Sequence, residues 1–383
     1  MNLLNGNIKP IYFKYLSAAF GSAMITSVYS LVDMAMVGQY QGSDGTAILF
    51  FDKPILLFFG ADESLLALAE TYLMPVKVVV PLFLFNQMLA AFLRNDNHPE
   101  LATAGVLAGG LFNIAFDYIF VFTFDMGIFG AGLATAVGSG ISFAVMLSHF
   151  WSEKNTLFLR KPTGMMGKLR EISVTGFPTF FIDIAMGILT VLFNRQIMKY
   201  LGSNALAVYG PVINVSTIVQ CCAYSVGQAA QPIISINFGA KKWQRIKETL
   251  RYALYTVGAF SIFWTAFSLI CPNLYIYIFM KPTKAILEIA PAIIRCYSIS
   301  FLLLPLNIFS TYYFQVLMKP GAAFYVSVFR GCIVSGILIM MLPVVAGADS
   351  IWFAMPITEL LVSVYAVFMM DKYTKALSKD ATL

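Results

Sequence analysis

Charge is what this sequence has least of. Only 11% of its 383 residues are Asp, Glu, Lys or Arg, and 59% are hydrophobic, whereas a soluble domain carries about 25% charged residues. That scarcity excludes a water-soluble globular protein and places the chain in a bilayer. Histidine is almost missing too. His98 and His149 are the only two, no nucleophile–base set or phosphate loop accompanies them, and nothing points to an enzyme. The five cysteines, Cys221, Cys222, Cys271, Cys296 and Cys332, lie in apolar segments. They have neither metal-ligand nor disulfide spacing and read as packing residues, so no cofactor is expected. No small-residue cleavage site closes the apolar run after Lys9 and Lys14, so the first helix is expected to stay as a membrane span. The net charge of +6 is spread among loops between apolar runs, which is membrane orientation rather than nucleic-acid binding.

What is there in quantity is apolar length. Ten runs near 11–38, 71–93, 101–123, 128–150, 173–199, 207–232, 250–272, 289–316, 321–345 and 350–371 are each long enough to cross a hydrocarbon core of about 30 Å as a helix. The expected fold class is an all-α integral membrane protein. An eleventh apolar piece near 47–60 is too short and is split by Asp52-Lys53-Pro54; it reads as the tail of a lost helix. With the N-terminus inside, the inner loops collect most of the bases, from Lys9 and Lys14 through Arg160 and Lys161 to Lys372 and Lys375. The outer loops hold only Lys53, Lys199, Lys281 and Lys284. That bias predicts a multi-pass protein of the cytoplasmic membrane with both termini in the cytoplasm.

The two halves echo each other. Tyr40-Gln-Gly-Ser-Asp44 reads like Tyr200-Leu-Gly-Ser-Asn204 at an offset of 160, Lys53-Pro54 like Cys271-Pro272 at 218, and Ile128-Phe-Gly-Ala131 with Thr135 like Ile351-Trp-Phe-Ala354 with Thr358 at 223. Two copies of one unit keep a constant offset, so the jump from 160 to 218 leaves the first half about 58 residues short. That is roughly two crossing helices and their turn. The expected organisation is two pseudo-symmetric helix-bundle lobes: an N-terminal lobe over 1–150, a cytoplasmic linker over 151–175 and a complete six-helix C-terminal lobe over 176–383.

Ionisable groups at membrane depth are costly and therefore informative. In the first half these are Asp33 and Asp117, with Asn113 four residues before Asp117 on the same helical face and Thr135 on the next helix. Two carboxylates, an amide oxygen and a hydroxyl form an all-oxygen set suited to a small hard cation, or to proton exchange if the acids sit close together. Their repeat mates are Phe193 for Asp33, Gly336 for Asn113 and Met340 for Asp117. The acids are thus not part of the repeated scaffold. The second half offers Asp183, Asn194, Arg195, Arg295, Gln315, Arg330 and Glu359. It also has Gln228 and Gln231 beside Pro232, a residue expected to break its helix next to a cavity. Asp183 and Arg295 are candidates for a buried ion pair, with Asp183 alternatively facing a cationic substrate. Aromatic residues, 15% of the chain, would suit flat lipophilic cations where they line a cavity.

These residues resemble the multidrug and toxic compound extrusion (MATE) family, nearest its MepA-like and DinF-like branch. The most specific likeness is Gly227-Gln-Ala-Ala-Gln-Pro-Ile-Ile-Ser-Ile-Asn-Phe-Gly-Ala-Lys-Lys242. It is joined by Val32-Asp33 with Val37-Gly38-Gln39, Phe59-Gly-Ala-Asp-Glu63, Leu93-Arg94 through Pro99, Gly109 to Phe120, Gly176-Phe-Pro178, Phe314-Gln315 and Arg330. The resemblance implies a twelve-helix, two-lobed antiporter that exports organic cations or amphipathic drugs against inward H+ or Na+, acting as a monomer on small molecules. It implies a cation site, for H+ or Na+, at Asp33, Asn113, Asp117 and Thr135, and places Asp183 at an acidic position of the second lobe and Glu359 where Asp is usual. The gap removes the family's second helix and most of its third. The alternatives are a non-transporting remnant or gene-model artefact and, less well supported because anionic substrates call for several intramembrane bases, a lipid-linked saccharide flippase.

Overall fold

In lipid every backbone N–H and C=O must find a partner inside the chain, so long apolar runs leave the helix as the solution. The computed structural model describes residues 3–41, 63–158, 164–280 and 282–379, with side chains described for all of these but 27–41, 63–70, 73, 179, 182–184 and 378–379. Among the described residues there is no strand. The helices are α1 (Ile8–Gln41), α2 (Glu63–Asn95), α3 (Pro99–Tyr118), α4 (Gly127–Leu147), α5 (Met165–Tyr200), α6 (Gly202–Gly239) and α7 (Trp243–Ile270). They continue with α8 (Pro272–Phe279), α9 (Lys284–Ser298), α10 (Leu304–Val316), α11 (Pro320–Val328), α12 (Val334–Val345) and α13 (Ala354–Lys379).

Eight segments among the described residues are long and apolar enough to cross a membrane: Met74–Asn95, Pro99–Thr123, Gly127–Trp151, Gly202–Gly239, Trp243–Ile270, Lys284–Val316, Pro320–Val345 and Ala348–Leu377. The remaining two expected spans fall on α1 and α5, of 34 and 36 residues, each about 50 Å long at ~1.5 Å per residue. The chain is therefore a multi-pass, all-α membrane protein, as its sequence predicts. Large apolar side chains such as Val78, Leu84, Val344 and Phe368 are exposed along these helices, which lipid covers. The piece near 47–60 lies outside the described residues.

The chain packs as two compact units, Ser17–Leu159 and Arg160–Leu383 together with Met1–Leu16. In the first, α4 packs on both α2 and α3, around Leu89, Leu93, Ala102 and Met146. Hydrogen bonds join the helices. Thr103 Oγ1 of α3 donates to the Ala18 carbonyl of α1 at 2.6 Å and accepts from Ser22 Oγ at 3.2 Å. Asn86 Nδ2 of α2 donates to Ser139 O and Oγ of α4, both at 3.0 Å. In the second unit the largely aliphatic core holds an aromatic cluster: Phe193 stacks on Tyr209 at 4.8 Å, with Tyr297 and Trp352 against both.

Two features differ from the sequence-based boundaries. The first sixteen residues group with the second unit, because Asn237 Nδ2 and Arg245 Nη2 donate to the Leu3 carbonyl at 3.1 and 2.9 Å and Lys242 Nζ donates to Leu4 O at 2.9 Å. Tyr12 adds a hydrogen bond to Thr256 and a stacked contact with Tyr252. Part of the 151–175 stretch is helical, since α5 begins at Met165. Its first turns carry Lys168, Arg170 and Glu171 in exposed positions, so no apolar period marks the helix there.

The start of the linker is fastened to the first unit by the chain's two histidines and Asp96. Asp96 Oδ2 lies 2.6 Å from His149 Nε2 and accepts from Thr156 N at 3.2 Å, Thr156 Oγ1 hydrogen-bonds Asp96 Oδ1, and the His98 and His149 rings are 4.8 Å apart. Desolvation opposes the charge on Asp96, but the hydrogen bonds from Thr156 and His149 outweigh it and hold the carboxyl below its usual value. Desolvation, then His149 and Lys154, hold His98 below the usual imidazole value, against the opposing pull of Asp96 and Glu100. A depressed His98 favours the neutral form when folded, so its contribution is complete above the unfolded value near 6.5 and is lost as pH falls below it. The contribution of Asp96 persists to lower pH, because its folded value lies under the ordinary 3.8. The melting temperature of the wild type should therefore drop between pH ~7 and ~5.5 more than that of His98→Asn; equal slopes would refute this account.

Candidate functional site

The site in the first unit begins with glycine. At Gly109 of α3 a Cβ would overlap Gly138 O and Ser142 Oγ of α4, and at Gly138 a Cβ would sit 2.7 Å from Gly109 O. The two backbones touch, which only residues without a side chain permit. One turn further along α3, Asn113 is thereby set against α4. Its Nδ2 donates to Thr135 Oγ1 at 3.1 Å and to Asp117 Oδ1 at 3.4 Å. Thr135 Oγ1 in turn donates to Ala131 O at 3.2 Å. Asn113 is 2% exposed and Asp117 is 0% exposed.

Tyr72 of α2, 3% exposed, brings its hydroxyl to 3.4 Å from Thr135 Oγ1. It is admitted by Gly132, whose Cβ would overlap the Tyr72 carbonyl. Sequence reasoning did not single out Tyr72, and the signal was thin: a tyrosine among apolar residues reads as packing. The carbonyl oxygen of Asn113, Oδ1, is buried without a hydrogen bond. The arrangement thus gathers a carboxylate, an amide oxygen with unused acceptor capacity and two hydroxyls in a dry place. Such a set can hold a small hard cation or a proton. A π-helical turn, Ile119–Thr123, begins two residues after Asp117; such turns are frequent at functional sites. Asp33 stands on α1, but its side chain lies outside the described residues.

The second unit holds a buried ion pair that sequence reasoning did not assemble. Arg330 Nε donates to Glu359 Oε1 at 2.7 Å, the two residues being 1% and 0% exposed. Asn307 Nδ2 donates to Glu359 Oε2 at 2.7 Å and to the Glu359 carbonyl at 2.9 Å. The expected pairing of Asp183 with Arg295 falls on a side chain outside the described residues, since Asp183 is not described. Arg295 is exposed on α9 and donates from Nε to Leu269 O at 3.1 Å. Gln315 Nε2 donates to the Thr175 carbonyl at 3.2 Å, joining α10 to α5. Gln228 is half-buried and Gln231 exposed on α6. The helix break expected at Pro232 does not occur, because α6 runs unbroken from Gly202 to Gly239 through both Pro211 and Pro232; neighbouring helices and Ser or Thr side chains make proline tolerable in membrane helices.

Comparison with known proteins gives one consistent answer. Multidrug export protein MepA of Staphylococcus aureus is 25% identical over 336 residues, covering 87% of this chain and 73% of that protein. The protein of the same name from Staphylococcus saprophyticus is 26% identical over 213 residues, 55% of this chain and 46% of that one. Among solved structures, an outward-facing multidrug resistance MATE family transporter of the MOP superfamily superposes with a TM-score of 0.79 at 16% identity, over 97% of this chain and 88% of the other. A MOP superfamily transporter from Pyrococcus furiosus Vc1, described as having a binding pocket of reverse polarity, superposes with a TM-score of 0.77 at 16% identity, over 97% and 88%. These superpositions establish the fold. The MatE family model matches residues 45–119 and 178–341, more than half of the sequence, and the chain accordingly belongs to the MatE family.

Proposed function

We propose that this protein is a secondary active multidrug exporter of the cytoplasmic membrane. In this reading it exchanges H+ or Na+ for organic cations or amphipathic compounds, with both termini in the cytoplasm. The observation that carries the coupling is the buried cluster of Asn113, Asp117 and Thr135 between α3 and α4. An acid in low dielectric resists standing alone as an anion, so it takes up a proton or is neutralised by a cation. That is the behaviour an antiporter needs of a coupling group, and Asp33 on α1 is the second acid of the set. The export named in the staphylococcal relatives supports the substrate class. Cells expressing the chain should extrude ethidium, and extrusion should cease when the proton and sodium gradients are collapsed together. Retention of the dye at the level of cells lacking the gene, with the protein present in the membrane, would defeat this reading.

A second reading has a specific observation in its favour. Only residues 42–62 separate α1 from α2, space for about one crossing and not for two with their turn. Four crossing helices stand in the first unit against six in the second among the described residues. We infer an internal deletion of about two helices from the repeat, and with it a chain that is either a shortened transporter or a non-transporting remnant. Resequencing the locus separates a natural deletion from an artefact: an intact coding stretch in the gap would establish the artefact.

A further inference from the structure

α7 stops at Ile270 because a proline follows. Cys271, the residue before Pro272, leaves the helical region at φ −121° and ψ 53°, as a residue before proline tends to. The last turn of a helix leaves carbonyls without a donor. One of them, Leu269 O, is met from α9 by Arg295 Nε at 3.1 Å. A second proline, Pro291, stands one turn before Arg295 inside α9. Both prolines line a cleft of about 360 Å³, and Arg295 lines it too. Capping Leu269 uses one of the five N–H groups of a guanidinium. Arg295 is exposed, and its Nη1 and Nη2 make no hydrogen bond to any of the described residues. Their parallel N–H groups match two oxygens of one anion.

The surroundings point to a lipid rather than a solute. Phe263 and Ile270 share a face of α7, and Leu274 and Ile278 share one of α8; all four are exposed, a surface that acyl chains cover. A guanidinium at the margin of such a surface is stable when its head reaches a phosphate. Tyr277, 59% exposed and also lining the cleft, is of the residue type that sits at headgroup level. Charge then selects the headgroup. Arg295 is the only charged residue among those lining the cleft, and Asn273 and Tyr277 add neutral polar groups. Lys284 and Glu288, about three and two turns before Arg295 on α9, are both exposed and offset each other. Asp349 is within electrostatic reach of Cys296 but does not line the cleft. A headgroup amine would therefore find no carboxylate there, whereas the hydroxyls of a glycerol headgroup would find neutral partners.

We propose that this cleft binds an anionic phospholipid of the phosphatidylglycerol type, its phosphodiester on the Nη edge of Arg295. Which leaflet supplies the lipid follows from the orientation proposed above; the binding depends neither on that orientation nor on export. Cys271 lines the cleft and is exposed, so its thiol reports occupancy. The purified full chain in a neutral detergent is treated with N-ethylmaleimide in the presence of dioleoyl phosphatidylglycerol, phosphatidylethanolamine or phosphatidylcholine at equal mole fraction. Alkylation of Cys271 is followed by peptide mass spectrometry. Phosphatidylglycerol should slow it about tenfold relative to phosphatidylcholine, the ratio that one charge-assisted hydrogen bond gives. Phosphatidylethanolamine should protect no better than phosphatidylcholine, and inorganic phosphate, which brings no chains, should leave the rate unchanged. These comparisons need no variant to fold. Arg295→Gln keeps a donor for Leu269 O at an exposed position but has neither the charge nor the fork, so the advantage of phosphatidylglycerol should vanish. Equal rates in phosphatidylglycerol and phosphatidylcholine would overturn the proposal, as would protection by phosphatidylethanolamine or by inorganic phosphate as strong as that by phosphatidylglycerol. So would an advantage that survives in Arg295→Gln, the mark of a charged micelle surface rather than of a site.

Discussion

Asp117→Asn should abolish gradient-driven extrusion, leaving cells that carry the variant with as much ethidium as cells without the gene. The substitution is close to isosteric. The amide it introduces keeps an oxygen to accept from Asn113 Nδ2, the bond seen at 3.4 Å in the native side chain, so the α3–α4 contact and the fold are retained. What disappears is the ionisable group. An amide neither binds a proton in the working range nor neutralises a cation, and nothing then ties the ion gradient to the conformational cycle. A second readout is independent of transport. An ion that binds the native state at ~100 times its Kd stabilises it by ~2.7 kcal/mol, so a Na+-coupled wild type should melt at higher temperature in NaCl than in a bulky-cation chloride of equal ionic strength. That increment should be missing in Asp117→Asn. If the wild type shows no Na+ increment, the coupling ion is H+. A variant that extrudes as well as the wild type would remove Asp117 from the mechanism altogether.

The fold was legible because the bilayer simplifies the code. A crossing helix needs about twenty apolar residues in a row, and all ten such runs coincide with helices. Of the candidate cation residues, the four-residue spacing of Asn113 and Asp117 told that they share a face. Thr135 entered the set as a hydroxyl on the next helix, although it is copied in the repeat as Thr358, and the two make the same back-bond, Thr358 Oγ1 to Ala354 O and Thr135 Oγ1 to Ala131 O. Other features left no such trace. The capture of Leu3 and Leu4 by Asn237, Arg245 and Lys242 uses backbone carbonyls, which every residue has. The entry of Tyr72 depends on the missing side chain of Gly132 on another helix. The Arg330–Glu359 pair escaped because each partner, taken alone, reads as one of several isolated charges at depth; pairing them requires depth to be compared across a turn, not position along a helix.

That pair also sets up the second large effect. Arg330→Met should destabilise the protein by about 3–5 kcal/mol, because it strands a buried carboxylate, and Glu359→Leu should do comparable damage by stranding the guanidinium. The double variant Arg330→Met/Glu359→Leu should recover the loss and end near or above wild-type stability, since apolar groups of similar volume replace both desolvated charges. Thermal unfolding of all four proteins in one detergent gives the coupling energy of the cycle. Additive losses would mean that the pair, 2.7 Å apart, does not act as a unit.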